Sequence, residues 1–286
     1  MTSSHSFYRD KAILITGASS GIGEELALQL AQAGAKLTLA ARRKEQLDLL
    51  ARKIAAQGHP TPLIVPCDVA RDGALELAVS ESVRQYGKLD VVFANAGFGV
   101  VGAFKKLSLE DYRRQFETNV FGVLRTAYAA LPELEKSRGN LAIIGSVSGW
   151  VATPGGSPYS MSKFAVRALA NSITSELRRA GVKLTLISPG FVVSNIRRVD
   201  NQGSLHASAH DPVPPWIQMP TSKAARQILR AVARGKREQI ITLHGKLFVA
   251  IERFFPWINR LGSRRMTPVY DSRSSLVAGG PSNSSD

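Results

Sequence analysis

The sequence predicts an α/β fold: a doubly wound, mostly parallel sheet of about seven strands flanked by helices on both faces. Three observations predict it. Short apolar runs alternate strictly with amphipathic segments along most of the chain. The runs are almost continuously apolar, as strands buried on both faces are. Most of the amphipathic segments close on a glycine, the ordinary helix stop.

The elements follow in order. KAILITG (11–17) is a strand ending at glycine, and GIGEELALQLAQAG (21–34) is a helix closed by Gly34. AKLTLAA (35–41) and RKEQLDLLARKIAAQG (43–58) are the second strand and helix. PLIVPCDV (62–69) is a strand bracketed by Pro62 and Pro66, followed by the helix DGALELAVSESVRQYG (72–87). KLDVVFANAG (88–97) is the fourth strand, and 107–137 reads as one long helical region. GNLAIIGSVSG (139–149) is the fifth strand, SPYSMSKFAVRALANSITSELRRAG (157–181) a long helix, and VKLTLISPG (182–190) the sixth strand. KAARQILRAVARG (223–235) is a helix, and EQIITL (238–243) the last strand. Right-handed crossovers turn this order into a doubly wound sheet, whose ligands bind beyond the carboxyl ends of the strands.

Composition sets outer bounds. A hydrophobic share of 44% with 21% charged residues suits a globular domain, and one cysteine, Cys67, rules out an internal disulfide. The N-terminus has no apolar stretch before a small-residue cleavage site, and no window approaches the roughly 20 apolar residues of a membrane span. The expected location is the cytoplasm. The formal net charge is +15, and residues 221–270 hold eleven Lys/Arg against two acids, Glu238 and Glu252. An anionic membrane surface, an acidic partner, nucleic acid, or plain solvent answers such a face.

TGASSGIG (16–23) joins the first strand to the first helix. Gly17, Gly21 and Gly23 let the backbone turn tightly and approach a pyrophosphate, and the helix N-terminus offers free N–H groups. The second strand ends at Ala41, where a carboxylate would select NAD. Arg42 and Arg43 follow instead and suit the 2′-phosphate of NADP(H), although two arginines also open a solvated helix well. Asp68 suits the adenine amino group, or equally a helix N-cap.

YSMSK places Tyr159 and Lys163 four residues apart, on one helix face. Ser146 ends the fifth strand, and a Gly/Pro-rich linker lets the three converge. Carbonyl reduction needs a hydride and a proton. A phenol with a pKa of about 10 donates that proton poorly until a nearby ammonium favours phenolate. A serine hydroxyl can hold the substrate oxygen as charge develops.

With TGASSGIG, FANAG, the serine with YSMSK, and SPGFVVS, the chain resembles the short-chain dehydrogenase/reductase family over about residues 11–243. The resemblance implies a Rossmann-type catalytic domain at 11–244. Tyr159 would be the acid/base, Lys163 would bind the nicotinamide ribose and tune the tyrosine, and Ser146 would orient the carbonyl. Asn119 would help place a water beside the lysine. Gly17, Ser19, Ser20, Gly21, Ile22 and Gly23 would hold the pyrophosphate, with Arg42, Arg43, Asp68 and Val69 on the adenosine side. Asn95, Ala96 and Gly97 would steady the sheet beside the cofactor, and Pro189, Gly190, Val192 and Ser194 would touch the nicotinamide carboxamide. Dimers or tetramers through the two long helices are also implied. No motif position is lost, which argues against a non-catalytic dinucleotide sensor.

Three segments lie outside this core: an N-terminal extension (1–10), a long loop (194–220) and the C-terminus. The loop's Leu205, Pro214, Pro215, Trp216, Ile217 and Met219 suggest an apolar substrate wall. Its His206 and His210 read as solvated, with no metal. Residues 245–265 mix Leu247, Phe248, Val249, Phe254, Phe255 and Trp257 with Lys246, Arg253 and Arg260, and Pro256 should end or kink any helix there. That suits an interfacial helix peripheral on the inner membrane surface, or packing on the fold or a second subunit. Residues 266–286 read as a disordered Gly/Ser tail. The expected activity is NADP(H)-dependent conversion between a carbonyl and a secondary alcohol on an apolar, lipid-like substrate. Reduction of a 3-oxoacyl group on an acidic carrier protein is the alternative enzyme. Nucleic acid is disfavoured, since no nucleic-acid-binding fold accompanies the charge.

Overall fold

In the computed structural model, which describes residues 3–202, 204, 211, 213–258 and 261, seven strands alternate with helices. The strands are β1 (Ala12–Thr16), β2 (Lys36–Ala41), β3 (Leu63–Pro66), β4 (Val91–Ala94), β5 (Asn140–Ile144), β6 (Lys183–Ser188) and β7 (Glu238–Ile240). The helices are α1 (Ser3–Tyr8), α2 (Gly21–Gln32), α3 (Lys44–Ala56), α4 (Ala74–Tyr86), α5 (Leu109–Phe116), α6 (Gly122–Ser137), α7 (Ser157–Arg179), α8 (Thr221–Ala233) and α9 (Leu243–Phe254). All strands pair in parallel, in the order β3-β2-β1-β4-β5-β6-β7. The order reverses between β1 and β4, which opens a crevice at the carboxyl ends of those two strands.

Strand alternation feeds two cores. Ile13, Ile15, Val91 and Phe93 face α2, α3 and α8 on one side of the sheet. Leu14, Val92, Leu141 and Ile143 face α4, α6 and α7 on the other. Because both faces are covered, the strands need no polar side, and their sequences read as unbroken apolar runs.

The region 107–137 is one long helical run from Leu109 to Ser137, whose hydrogen-bond ladder changes partway along. Ser108 and Asp111 form a capping box that starts α5, and a π-helical turn (Glu117–Phe121) separates α5 from α6. Such turns insert a residue into the helical ladder and often mark functional sites. Asn119 lies at the middle of this turn and is fully buried. The proline reading at the C-terminus holds, since α9 stops at Phe254 just before Pro256.

Residues 3–10 are part of the packing. Tyr8 is 1% exposed within the α2–α8 core, and its hydroxyl donates to the Leu229 carbonyl at 2.8 Å. Burial pushes this phenol above the ordinary tyrosine range. Replacing Tyr8 with Phe removes one hydrogen bond and should cost about 1 kcal/mol. Tyr8→Ala also opens a cavity and should cost about 3–5 kcal/mol. Urea unfolding midpoints check both values, and a chain lacking residues 1–10 with an unchanged midpoint would refute the packing role.

Candidate active site

The glycine loop connects β1 to α2 at the sheet crevice. Gly17 has φ +67° and Gly21 has φ +60°. A Cβ at Gly23 would lie 2.4 Å from the Gly17 carbonyl, so a larger residue there would displace the loop. Thr16 and Asn95 tie this loop to β4. Thr16 Oγ1 accepts from the Asn95 and Ala96 N–H groups at 3.0 and 3.1 Å. Asn95 Nδ2 donates to the Thr16 and Gly17 carbonyls at 2.9 and 3.2 Å.

Ser20 precedes α2 but makes no side-chain cap. Its hydroxyl, with that of Ser19, instead accepts from Arg43 Nη2, both at 3.0 Å. The first N–H groups of α2 are thus left without a side-chain cap, and a guanidinium spans the two loop serines. Such an arrangement is able to receive an anion. Ile22 packs half-buried on the core below. Arg42 is exposed and, with Asp68, Ala70, Phe98, Thr118 and Gln202, borders an open cleft of about 340 Å³. Asp68 does not cap a helix. Its Oδ1 accepts from Ala70 N at 3.0 Å, and α4 begins only after Gly73. Val69 is buried, and a Cβ at Gly122 would lie 2.7 Å from its Cγ2, so α6 starts hard against it.

At the other half of the crevice, Ser146 precedes a 3-10 turn (Val147–Gly149) and accepts from Ser148 N at 3.0 Å. Gly149 lets that turn close on α7, since a Cβ there would lie 2.6 Å from the Lys163 carbonyl. Tyr159, in the first turn of α7, is half-buried, and the Gly99 backbone lies against its ring. Lys163 is buried. Its Nζ donates to the Ile144 carbonyl at 2.9 Å and sits 5.8 Å from the Tyr159 ring centroid. Burial pulls the Lys163 ammonium down to about 8.

Asn119 joins the two halves. Its Oδ1 accepts from Phe98 N at 3.1 Å, and its Nδ2 donates to the Phe98 carbonyl at 3.0 Å and to Ser162 Oγ at 3.2 Å. Ser162 in turn donates to the Tyr159 carbonyl at 2.7 Å. A Cβ at Gly97 would lie 3.1 Å from Asn119 Oδ1 and 3.9 Å from Lys163 Nζ, so that glycine is what lets the amide approach. The Asn119 side chain is thereby committed to protein partners.

The segment after β6 closes the site. The Pro189 carbonyl accepts from Val147 N at 2.8 Å, so it is fastened to the Ser146 turn. Val192 is buried and bridges to Met219, and Ser194 lies against Gly21 across the crevice. Gly190 takes the tightest contacts.

Several contributors carry no recognisable motif. Gln115 clamps Phe98 and Val100 by bonds at 3.0 and 2.6 Å. Its spacing of four from Asn119 was the available signal. Ser162 lies inside YSMSK, three residues after Tyr159. Arg197 forms a clasp across the substrate loop: its Nε and Nη2 bond Asp211 at 2.6 and 2.7 Å, and Nη2 also bonds Gln218 at 2.8 Å. Burial raises the Asp211 carboxyl, but the Arg197, Val213 and Gln218 bonds outweigh it and hold the group below its ordinary value. Of the loop's apolar residues, Met219 packs on the core, whereas Trp216 is 84% exposed and lines no enclosed wall. Leu205, His206, His210, Arg260 and the 266–286 tail lie outside the described residues.

Residues 11–204 match the short chain dehydrogenase family. The chain is 31% identical over 245 residues to dehydrogenase/reductase SDR family member 7B of Mus musculus, covering 84% of this chain and 75% of that one. Among solved structures, the alcohol dehydrogenase of Thermococcus sibiricus, complexed with 5-hydroxy-NADP, aligns with a TM-score of 0.68 at 27% identity, covering 81% of this chain and 96% of that one. A short chain dehydrogenase/reductase of Burkholderia phymatum, in complex with NAD, aligns with a TM-score of 0.79 at 22% identity, over 91% and 97% of the two chains.

The depressed Lys163 has a consequence for stability. The unfolded lysine titrates at its ordinary 10.5 and the folded one at about 8. Between these values the unfolded chain binds more protons, so this group makes stability rise with pH through that window. Cys67 and the buried tyrosines titrate nearby but are common to wild type and variant. In Lys163→Met the rise should vanish, so wild type should gain on the variant by up to roughly 3 kcal/mol from pH 8 to 10.5. Parallel stability–pH curves for the two proteins would contradict this.

Proposed function

The chain belongs to the short-chain dehydrogenase/reductase family and is an oxidoreductase of that type, and from that premise we propose that it uses NADP(H) to interconvert an apolar secondary alcohol and its carbonyl, with Tyr159 as acid and base. The observation that carries the proposal is the buried Lys163 ammonium beside the Tyr159 ring. Burying a charge costs several kcal/mol, and packing alone would be served better by methionine. A cation there favours the phenolate and brings the tyrosine's proton affinity toward working pH.

The residues fit a dinucleotide. The Gly17–Gly23 cradle and the α2 N-terminus would hold the pyrophosphate, with Asp68 and Val69 toward the adenine. Arg43 and Arg42 would meet a 2′-phosphate, which is the reason for preferring NADP(H) over NAD(H). The bound nicotinamide supplies or accepts the hydride. Ser146 Oγ already accepts from Ser148 N, so its own hydrogen can be donated to the substrate oxygen. Asn119 keeps Phe98 and α7 in register, so that Tyr159 and Lys163 stay aligned.

The proposed substrate is apolar because of the apolar side chains exposed on the substrate loop and on α9. Trp216 is exposed, and α9, packed on the Ser146 turn, leaves Leu243, Leu247 and Phe248 exposed, followed by Phe254, Phe255 and Trp257. Lys246 and Arg253 on the same helix are also exposed. No helix among the described residues is long and apolar enough to cross a membrane. Apolar side chains interleaved with cations, on a chain of net charge +15, complement an anionic membrane surface, from which a lipid-like substrate would enter.

NADPH and NADH absorbance with carbonyls from short ketones to long-chain 3-keto lipids tests the chemistry. NADPH turnover should rise with chain length and fall about 10²–10⁴-fold in Tyr159→Phe. Arg43→Ala should weaken NADPH use at least about ten-fold more than NADH use. A wild-type preference for NADH would reject the NADP assignment. Vesicle sedimentation tests the surface: binding should require anionic lipid, weaken with salt, and drop about ten-fold or more in a Leu247→Gln/Trp257→Gln double variant. Equal recovery of wild type and variant would remove the membrane from the proposal.

A further inference from the structure

The first turn of α9 reaches back into the segment that follows β6. The Phe191 N–H donates to His244 Nε2 at 2.8 Å. The two rings stack, with centroids 5.4 Å apart and planes at 25°, and Phe248 lies against the imidazole at 6.3 Å. A Cβ at Gly190 would lie 2.4 Å from His244 Nε2 and 2.3 Å from Thr242 Oγ1, so the contact needs a glycine there. Thr242 also accepts from Gly245 N at 3.2 Å and so starts the helix that carries the histidine. The same segment is held by Val147 N on the Pro189 carbonyl at 2.8 Å and by Met219 N on the Phe191 carbonyl at 2.9 Å. One short stretch of backbone therefore joins the Ser146 turn, the substrate loop and α9, and His244 is its bond to α9.

We infer that His244 is a positioning residue, whose unprotonated Nε2 holds the 189–194 backbone where it meets the nicotinamide, so that cofactor affinity depends on the seat of α9 and on pH. The inference rests on the dinucleotide reading above. An imidazole nitrogen that accepts a bond carries no proton, so Nδ1 holds the hydrogen. Burial lowers the His244 pKa from its ordinary 6.5 and is the cause of that shift. Among the described residues, the surrounding elements offer no counter-charge. Residues 189–194 and 147–149 contain no titratable side chain. From β7, Glu238 faces Arg167, and from α7, Lys163 is bonded to the Ile144 carbonyl and Tyr159 stands beside it. On α9 itself, Lys246 and Arg253 are exposed, and Glu252 is two turns away. As pH falls below 6.5, a released imidazole takes a proton that the seated one resists, so opening of the segment becomes easier; above 6.5 this drive is absent.

Two variants separate the roles of ring and acceptor. His244→Gln keeps an acceptor that does not titrate, and His244→Phe keeps a ring without an acceptor. Hydrogen–deuterium exchange over 189–194, in the cofactor-free protein and corrected for intrinsic rates, reads the segment directly. NADPH, NADH and 2′,5′-ADP affinities read the consequence. In wild type, exchange should rise about ten-fold from pH 7.5 to 5.5, and dinucleotide affinity should fall in step. His244→Gln should be flat in both. His244→Phe should exchange fast at every pH and bind dinucleotide about ten-fold more weakly, with 2′,5′-ADP unaffected. Wild-type exchange and affinity in His244→Phe, or an acid limb that survives in His244→Gln, would overturn the inference. A wild type that shows the exchange change but binds neither dinucleotide would instead overturn the cofactor reading and the coupling built on it.

Discussion

The buried ammonium of Lys163 is the constraint on which the site depends. A charge in a dry interior must be given partners or it is lost to deprotonation. The described structure gives it the Ile144 carbonyl, at the end of β5, and the face of the Tyr159 ring. Those contacts require α7 to lie close over the end of β5, and that in turn requires Gly149 in the intervening turn. The cost of burial and the proposed chemistry are two aspects of one arrangement. A lysine drawn down to about 8 still carries its proton at neutral pH, and that charge favours the phenolate form of the neighbouring phenol.

Close backbone approach is the second theme. Gly17, Gly23, Gly97, Gly149 and Gly190 each admit an atom that a Cβ would displace. Side-chain amides then tie the approaching loops: Asn95 binds the glycine loop, and Asn119 with Gln115 binds Phe98 and Val100. Loops at a sheet edge would otherwise be the least ordered part of the domain. Here side-chain amides, those of Asn119 and Gln115 fully buried, give them the bonding pattern of regular structure. The π turn that carries Asn119 belongs to this scheme, because it sets a helical side chain out of the usual rhythm and into the loops.

Much of the architecture was legible in the chain. The unbroken strands, their order along the sequence and the helix stops needed only periodicity and glycine. The pairing of Tyr159 with Lys163 needed only the helical repeat. The π turn within 107–137 was not legible, because it differs from α-helix by one displaced hydrogen bond and leaves composition unchanged. Nor was Asp68 resolved: an Asx turn and a helix N-cap use the same residue, and only the start of α4 at Ala74 separates them. Arg43 was readable as a phosphate partner, but not as the residue that donates to the hydroxyls of Ser19 and Ser20.

By itself, then, the sequence determined the fold class, the positions of the glycine loop and the Ser146–Tyr159–Lys163 set, and the family. Each of these is written in local spacing, over one strand, one turn or one helical repeat. Only the tertiary structure decided that Tyr8 belongs to the core and packs against a helix more than 200 residues later. It alone showed Asn119 committed to Phe98 and Ser162, Arg197 bonded to Asp211, and His244 reaching Phe191. The physical reason is common to all four. They are contacts between segments distant in sequence, made by single side chains of ordinary type. Their meaning comes from burial and from the partner supplied by the fold, and neither leaves a periodic mark along the chain.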